Sequence, residues 1–384
     1  MDKNKSIASV VANCIDSINN TVGGITAEAK KETENKDVNE NLEAAENVSV
    51  DETPKTEDKK NIYDLLEEEI MKADAPAEEK NKQLSKLVKA RGQKINLMLV
   101  GATGSGKSST INSIFNTKMA KVGIGVDPET KDIECYQLEN LTIWDTPGIG
   151  DVKEKDDEYA KQIIKKLSEV DENGTPIIDL VMVVIDGSSR DLHSTYDMIN
   201  NVIVPSLTKE NAHRILIAVN QADMAMKGNH WDVENNCPDE TLTDFLEKKC
   251  DSIKQRIFEG TGIEITPMYY CAGYTDENDV QNKPYNLTKL LYHIVLSLPA
   301  EKRIAIAENL NDNKSMWECD DQKCDYKSGI SQSFGEIFWE TTGNFAEKGF
   351  VGGGMVLGLP GAIVGGLVCG AAGAVVGFFK GLFS

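Results

Sequence analysis

Histidine is scarce in this chain and paired cysteine is missing from it. The four histidines, His193, His213, His230 and His293, stand in no motif with a nucleophile, so none is assigned a catalytic role. Eight cysteines are scattered without paired spacing, and Cys319-x-x-x-x-Cys324 has no second pair with which to hold a metal. A reduced, cytoplasmic chain is the expectation. Basic residues are outnumbered, 41 Lys and Arg against 62 Asp and Glu, a formal net charge of −21. That balance disfavours indiscriminate binding to a phosphate backbone, excludes DNA as an expected partner and leaves RNA only a local basic patch. Aromatic residues are absent from Ala27 to Lys60, a stretch crowded with Glu, Lys, Asn and Asp. Such composition reads as disordered. The long apolar core of a signal peptide is also lacking ahead of it. Ile7, Val10, Val11, Cys14, Ile15 and Ile18 instead follow helical spacing, either as a short amphipathic membrane or partner helix or as part of a solvated arm.

What is present begins with Gly101-Ala-Thr-Gly-Ser-Gly-Lys-Ser108, preceded by the apolar run Ile95–Val100. A strand running into this loop is a phosphate-binding arrangement, because its glycines let successive backbone N–H groups converge at the positive end of the following helix. The binding set read from it is Gly101, Thr103, Gly104, Ser105, Gly106, Lys107, Ser108 and Ser109. Lys107 is placed to reach the β- and γ-phosphates, and Ser108 to hold Mg²⁺.

Three further elements follow in order. Leu141-Thr-Ile-Trp-Asp145-Thr-Pro-Gly148 is a short strand ending in D-x-x-G, whose Asp145 can reach Mg²⁺ through water and whose Gly148 can present its N–H to the γ-phosphate. Ile215–Val219 ends in Asn220-Gln221-Ala222-Asp223, close to the N-K-x-D pattern that selects guanine. One carboxylate at Asp223 can accept from both N1–H and the exocyclic amine of guanine, a donor pair adenine does not offer. Ile265–Tyr270 leads to Cys271-Ala272-Gly273, where a backbone N–H can meet guanine O6. Between the first two elements, Thr130 lies in the turn-rich segment Val126–Thr130 and is expected to complete the Mg²⁺ shell and sense the γ-phosphate. Lys107, Thr130 and Gly148 are therefore the residues expected at the reacting phosphate, and Ser108, Thr130 and Asp145 those at the metal.

In this order the motifs resemble those of translation-factor-class GTPases, nearest to the Era-, septin- and immunity-related branch. Gly-x-Thr-Gly-x-Gly-Lys-Ser-Ser, Asp-Thr-Pro-Gly and Asn-Gln-Ala-Asp followed by His230-Trp231-Asp232 look most like bacterial GTPases labelled 50S ribosome-binding. The resemblance runs from about Lys94 to Arg303 and implies GTP or GDP with Mg²⁺. Two residues depart from it. Gln221 replaces the lysine whose stem lies along the base, and Ile149 replaces the glutamine that orients water in many signalling members. An isoleucine makes no hydrogen bond, so hydrolysis by the lone chain is expected to be slow, near ~10⁻³ s⁻¹ or below. Gly104 stands where potassium-activated relatives carry asparagine. A residue supplied in trans by a second copy, in a homo-dimer or oligomer formed through the nucleotide face, is the expected remedy.

Apolar runs at Ile95–Val100, Leu141–Trp144, Leu180–Ile185, Ile215–Val219 and Ile265–Tyr270 alternate with helical periods at Tyr159–Leu167, Thr195–Val204 and Thr241–Phe258. Such alternation gives an α/β fold with helices on both faces of a mainly parallel sheet. The resemblance implies a Ras-like P-loop G domain of six strands, with Asp132–Gln137 as an antiparallel edge strand. The expected organisation is an acidic arm over 1–60, a helical prelude over 61–92 broken near Ala75-Pro76, the G domain over 93–303, a helical linker over 304–348 and a glycine-rich tail over 349–384. In the prelude Ile62, Leu65, Leu66, Ile70, Leu84, Leu87 and Val88 are the expected packing face. Asn286–Pro299 reads as the last helix of the domain, with Leu287, Leu290, Leu291, Ile294 and Val295 in the core.

From Gly349 to Phe379 no residue is charged, and glycines recur at four-residue intervals through Gly354, Gly358, Gly361, Gly365, Gly366, Gly370, Gly373 and Gly377. This is a small-xxx-small pattern, which lets helix backbones pack closely in lipid. Pro360 to Phe379 is long enough to match a hydrocarbon core of about 30 Å. Membrane association through the tail is one expectation; a buried glycine-rich hairpin or an oligomer contact is the other. Phe334, Ile337, Phe338 and Phe345 form a helical stripe ahead of it. A ribosome partner has only the family label behind it.

Overall fold

The computed structural model describes residues 61–116, 121–124, 133–148, 153–207, 211–273, 283–335, 377–379 and 381–383. The arm over 1–60, Thr130, Ile149 and most of the tail lie outside the described residues.

Nine strands are described: β1 (Ile95–Gly101), β2 (Lys121–Ile124), β3 (Glu134–Gln137), β4 (Leu141–Asp145), β5 (Leu180–Asp186), β6 (Ile215–Asn220), β7 (Trp231–Asp232), β8 (Cys237–Pro238) and β9 (Met268–Tyr269). Seven form one sheet in the order β2-β3-β4-β1-β5-β6-β9. β4, β1, β5, β6 and β9 pair in parallel, and β3 is antiparallel to both β4 and β2. The six expected strands are all here. The seventh, β2, extends the edge, so the antiparallel strand is one position in from the margin. Its sequence, Lys-Val-Gly-Ile, is too short and too mixed to stand out as a strand. β7 and β8 make a separate hairpin just after Asp223.

The central strands are apolar on both faces because both are covered. Leu97 and Leu99 of β1 and Met182 and Val184 of β5 join one core layer, whereas Met98, Val100, Val181 and Val183 join the other. Helices Lys153–Leu167, His193–Met198 and Glu240–Thr261 cover the second layer; the middle one continues through a π-turn at Ile199–Ile203 into Val204–Leu207. Asp239 caps the long helix by accepting from Leu242 N–H at 2.9 Å.

The first layer is built from both ends of the described chain. Helices Ile62–Lys72 and Ala77–Arg91 bury Ile62, Tyr63, Leu66, Ile70, Leu87 and Ala90. Ala73 and Pro76 take extended backbone and separate them, as Ala75-Pro76 suggested. Val88, expected on the packing face, is 61% exposed, and Gln83, Leu87 and Ala90 form the buried stripe instead. The boundary expected at residue 303 falls inside helix Ala300–Ala307, whose Ile304 and Ile306 are fully buried. Helices Leu287–Leu296 and Tyr326–Gly335 complete this layer. Phe334, expected in a helical stripe ahead of the tail, is buried there, and Phe379 and Phe383 from the end of the described chain pack with it. The Phe334 and Phe379 rings lie 4.7 Å apart, those of Trp317 and Phe383 5.7 Å, and Lys327 Nζ donates to Phe383 O at 3.1 Å. Among the described residues no helix is long and apolar enough to cross a membrane.

Candidate functional site

β1 ends at Gly101 and helix Lys107–Ile114 begins six residues later, so the loop between them lies at the carboxyl ends of the parallel strands, where α/β folds place ligands. Gly106 caps that helix in the left-handed region at φ +88°, and Gly104 has φ +77°. A side chain on Gly106 would run into the Asn220 amide. Lys107 is almost buried beneath the loop, its ammonium donating to Gly101 O at 3.2 Å and Ala102 O at 3.4 Å. Ser108 and Ser109 face solvent on the first turn.

Asp145 is brought to the loop by the parallel pairing of β4 with β1, in which Asp145 stands beside Leu99. Ser108 Oγ donates to Asp145 Oδ2 at 2.8 Å, while the buried Oδ1 has no hydrogen-bond partner. Burial pushes the Asp145 carboxyl up, and the Ser108 hydroxyl and Lys107 ammonium pull it back. An orphaned buried carboxylate oxygen beside a hydroxyl is an all-oxygen donor set suited to a hard cation such as Mg²⁺. These residues therefore fit the metal the sequence implied. Gly148 leans over the loop so closely that a Cβ there would overlap the Thr103 backbone. The D-x-x-G and phosphate-loop elements thus meet as expected.

The guanine motif is tied to the same loop from the other side. Asn220 Nδ2 donates to Ser105 O at 3.0 Å across 115 residues, and Asn220 Oδ1 accepts from Ala272 N–H at 3.0 Å. Gln221, in the left-handed region at φ 59°, donates its side-chain amide to Gly104 O at 2.7 Å. The shorter residue therefore still ties the motif to the loop. Asp223 accepts from the Cys271 thiol at 3.1 Å. The Ala272 N–H, in the turn expected to meet guanine O6, donates to Asn220 in this structure. Cys271 N–H and C=O are likewise paired with Tyr285.

Two residues that the sequence did not single out complete the frame. Thr110 Oγ1 donates to Gly106 O at 2.7 Å, which leaves Tyr270 OH, 2.6 Å away, as donor to Thr110. Ser113 Oγ lies 2.5 Å from Ala272 O. Both contacts link the phosphate-loop helix to the turn after β9, and neither shows in a motif because the partners are about 160 residues apart. Ser105 Oγ is buried without a partner.

Residues 95–262 match the model of the AIG1 family, a span that takes in the phosphate loop, D-x-x-G and Asn220–Asp223. The chain is 36% identical over 75 residues to Interferon-gamma-inducible GTPase 10 of Mus musculus, covering 18% of each chain. It is 36% identical over 94 residues to Immune-associated nucleotide-binding protein 8 of Arabidopsis thaliana, covering 23% of this chain and 26% of that one. The chain therefore spans well under half the length of these curated relatives. Among solved structures it is similar to Toc33 from Arabidopsis thaliana in complex with GDP and Mg²⁺, at 17% identity and a TM-score of 0.37, covering 64% of this chain and 98% of that one. The sequence likeness runs to septin and immune-associated GTPases alike, and neither the translation-factor and Era placement nor the ribosome-binding label gains support from it.

Proposed function

We propose that this chain is a guanine-nucleotide-binding protein that takes GTP or GDP with Mg²⁺ and hydrolyses GTP to GDP and phosphate. The observation that carries this is Asn220, whose one amide grips Ser105 of the phosphate loop and Ala272 of the last turn. That grip sets the phosphate-binding and base-binding elements at a fixed separation, as a nucleotide requires. In this reading the loop N–H groups from Thr103 to Ser109 receive the phosphates, and Lys107 leaves its carbonyl contacts for them. Ser108 and Asp145 hold Mg²⁺, with Thr130 the proposed third ligand, and the bound ion offsets the negative charge of the β- and γ-phosphates. Asp223 reads N1–H and the amine of guanine. Gly148 presents its N–H to the γ-phosphate, a role supported by its closeness to Thr103 of the loop. Because Ile149 has no group to orient water, turnover is slow in the lone chain and rises when a second copy closes over the nucleotide.

Titration calorimetry with GTP, GDP and ATP tests the binding reading. Lys107→Ala should weaken GTP by at least about 100-fold, since charge-assisted contacts to phosphate are worth about 1.5–3 kcal/mol each. Asp223→Asn should erode the preference for guanine over adenine. Unchanged affinity in both variants would sink the site.

The finer reading is a nucleotide-dependent switch at a membrane, cytoplasmic apart from the part of the tail that precedes Phe378, since Phe379 and Phe383 pack in the core of the domain. It is supported by the uncharged stretch Gly349–Phe379 with its four-residue glycine spacing. Sedimentation of the full chain with liposomes should be greater with a non-hydrolysed GTP analogue than with GDP. Equal partition overturns the switch, and co-sedimentation with ribosomes in its place would revive the alternative of a ribosome-acting regulator.

A further inference from the structure

We infer that Lys249 is a positioning residue for nucleotide binding, acting by clamping the turn after β5 against the backbone of Asn220. This rests on the nucleotide reading above and brings in a residue that stands in none of its motifs. Lys249 lies on helix Glu240–Thr261, and its ammonium reaches across to the end of β5, donating to Gly187 O at 2.6 Å and Ser189 O at 2.7 Å. Gly187 meets the guanine motif with its other polar group, its N–H donating to Asn220 O at 2.7 Å. One residue is thus held from two sides, by Lys249 at its carbonyl and by Asn220 at its N–H.

The turn is pressed close against the motif. A Cβ on Gly187 would overlap Asn220 O and crowd Gln221 O, and the pairing of β5 with β6 sets Asp186 beside Asn220, so the turn starts level with the motif. Asp186 braces the turn from within, its Oδ1 accepting from Ser188 N–H and Ser188 Oγ, both at 2.7 Å. The neighbouring Lys248 shows what a lysine on this helix does when left in water: its side chain is 72% exposed and pairs with Asp244 of the same helix at 2.6 Å. Lys249 is instead half-buried, and burial lowers its pKa while the Asp186 carboxylate pulls it back up. An ammonium drawn out of water needs hydrogen bonds to offset its lost hydration, and the two carbonyls supply them. What these bonds fix is the backbone behind Asn220, whose side chain joins Ser105 to Ala272. Without the ammonium the turn loosens, and GTP must order Asn220 at the expense of its own affinity.

The test titrates GTP into wild type, Lys249→Met, Lys249→Arg, Asn220→Ala and the double variant Lys249→Met with Asn220→Ala, and follows thermal unfolding alongside. Methionine keeps an aliphatic stem and loses the ammonium; arginine keeps the charge and can donate to both carbonyls. Lys249→Met should weaken GTP by about 3- to 10-fold, the scale of one lost hydrogen bond. Lys249→Arg should stay within about twofold of wild type. In the Asn220→Ala background the methionine change should cost less than about twofold, because the side chain through which the lysine acts is already gone. A merely structural role would lower affinity by the same factor in both backgrounds, and that result overturns the inference. So does unchanged affinity in Lys249→Met, or an arginine variant as weak as the methionine one. The arginine comparison stands even where Asn220→Ala binds too weakly to titrate. If wild type binds no GTP, the failure belongs to the nucleotide reading and is seen before any variant is made.

Discussion

At the carboxyl ends of the strands, neighbouring segments meet through single hydrogen bonds from side chain to backbone: Asn220 to Ser105, Gln221 to Gly104, Ser113 to Ala272. In the layer made from the two ends of the described chain, contact is by apolar surface instead, with Ile62, Leu66, Phe334, Trp317, Phe379 and Phe383 all in one buried cluster. A hydrogen bond has a narrow working range of distance and angle, whereas packed apolar groups lose energy in proportion to the volume removed. Damage at the rim should therefore appear as lost binding in a protein that still folds. Damage in the terminal layer should appear as lost stability in a protein that still binds.

The largest effect expected is in the terminal layer. Phe379 is 1% exposed against Phe334, Phe378 and Phe383. Phe379→Ala should cost about 3 to 5 kcal/mol of unfolding free energy, the range for a buried phenylalanine. Urea denaturation gives that number, and nucleotide titration on the same sample should show affinity within about twofold of wild type. A stable Phe379→Ala protein would mean that the end of the chain does not pack there. A large loss of affinity would erase the division between the two regions.

How much of each region could be read in advance follows from the same difference. Motif residues at the rim were legible because phosphate and guanine chemistry dictates residue types at short spacings, and the structure gathers Gly106, Lys107, Ser108, Asp145 and Asn220 at the carboxyl ends of the strands. The links among them were not, since Gln221 to Gly104 spans 117 residues and no local pattern reports it. The bond from the Ala272 N–H to Asn220 was hidden for that reason, because the two lie 52 residues apart. In the terminal layer, helical periodicity located the helices but not which stripe they bury. Val88 continued the apolar spacing of Leu84 and Leu87, yet the partner surface is met by Gln83, Leu87 and Ala90. Residues 304–348 read as a helical linker, whereas the described part of that span, 304–335, closes the core through Ile304, Ile306, Trp317 and Phe334. Strand β2 was invisible because four residues including a glycine carry no alternation, and pairing with β3 defines it.

The complementary variant is Gly106→Ala, with a smaller expected free-energy change and the opposite signature. At φ +88° a side chain costs about 1–2 kcal/mol in the left-handed region, and here the added methyl also meets the Asn220 amide. Nothing else crowds that position from the apolar layers, so relief comes from moving Asn220 away from Ser105 and Ala272. Each bond loosened in that way belongs to the frame that fixes the phosphate loop against the guanine motif. GTP affinity should accordingly fall by about tenfold or more, while the urea midpoint moves less than in Phe379→Ala. Titration and denaturation of the two variants side by side form the decisive pair. If Gly106→Ala instead unfolds at the denaturant concentration of the phenylalanine variant and binds GTP normally below it, the rim is a stability element and Asn220 is not the clasp of the nucleotide site.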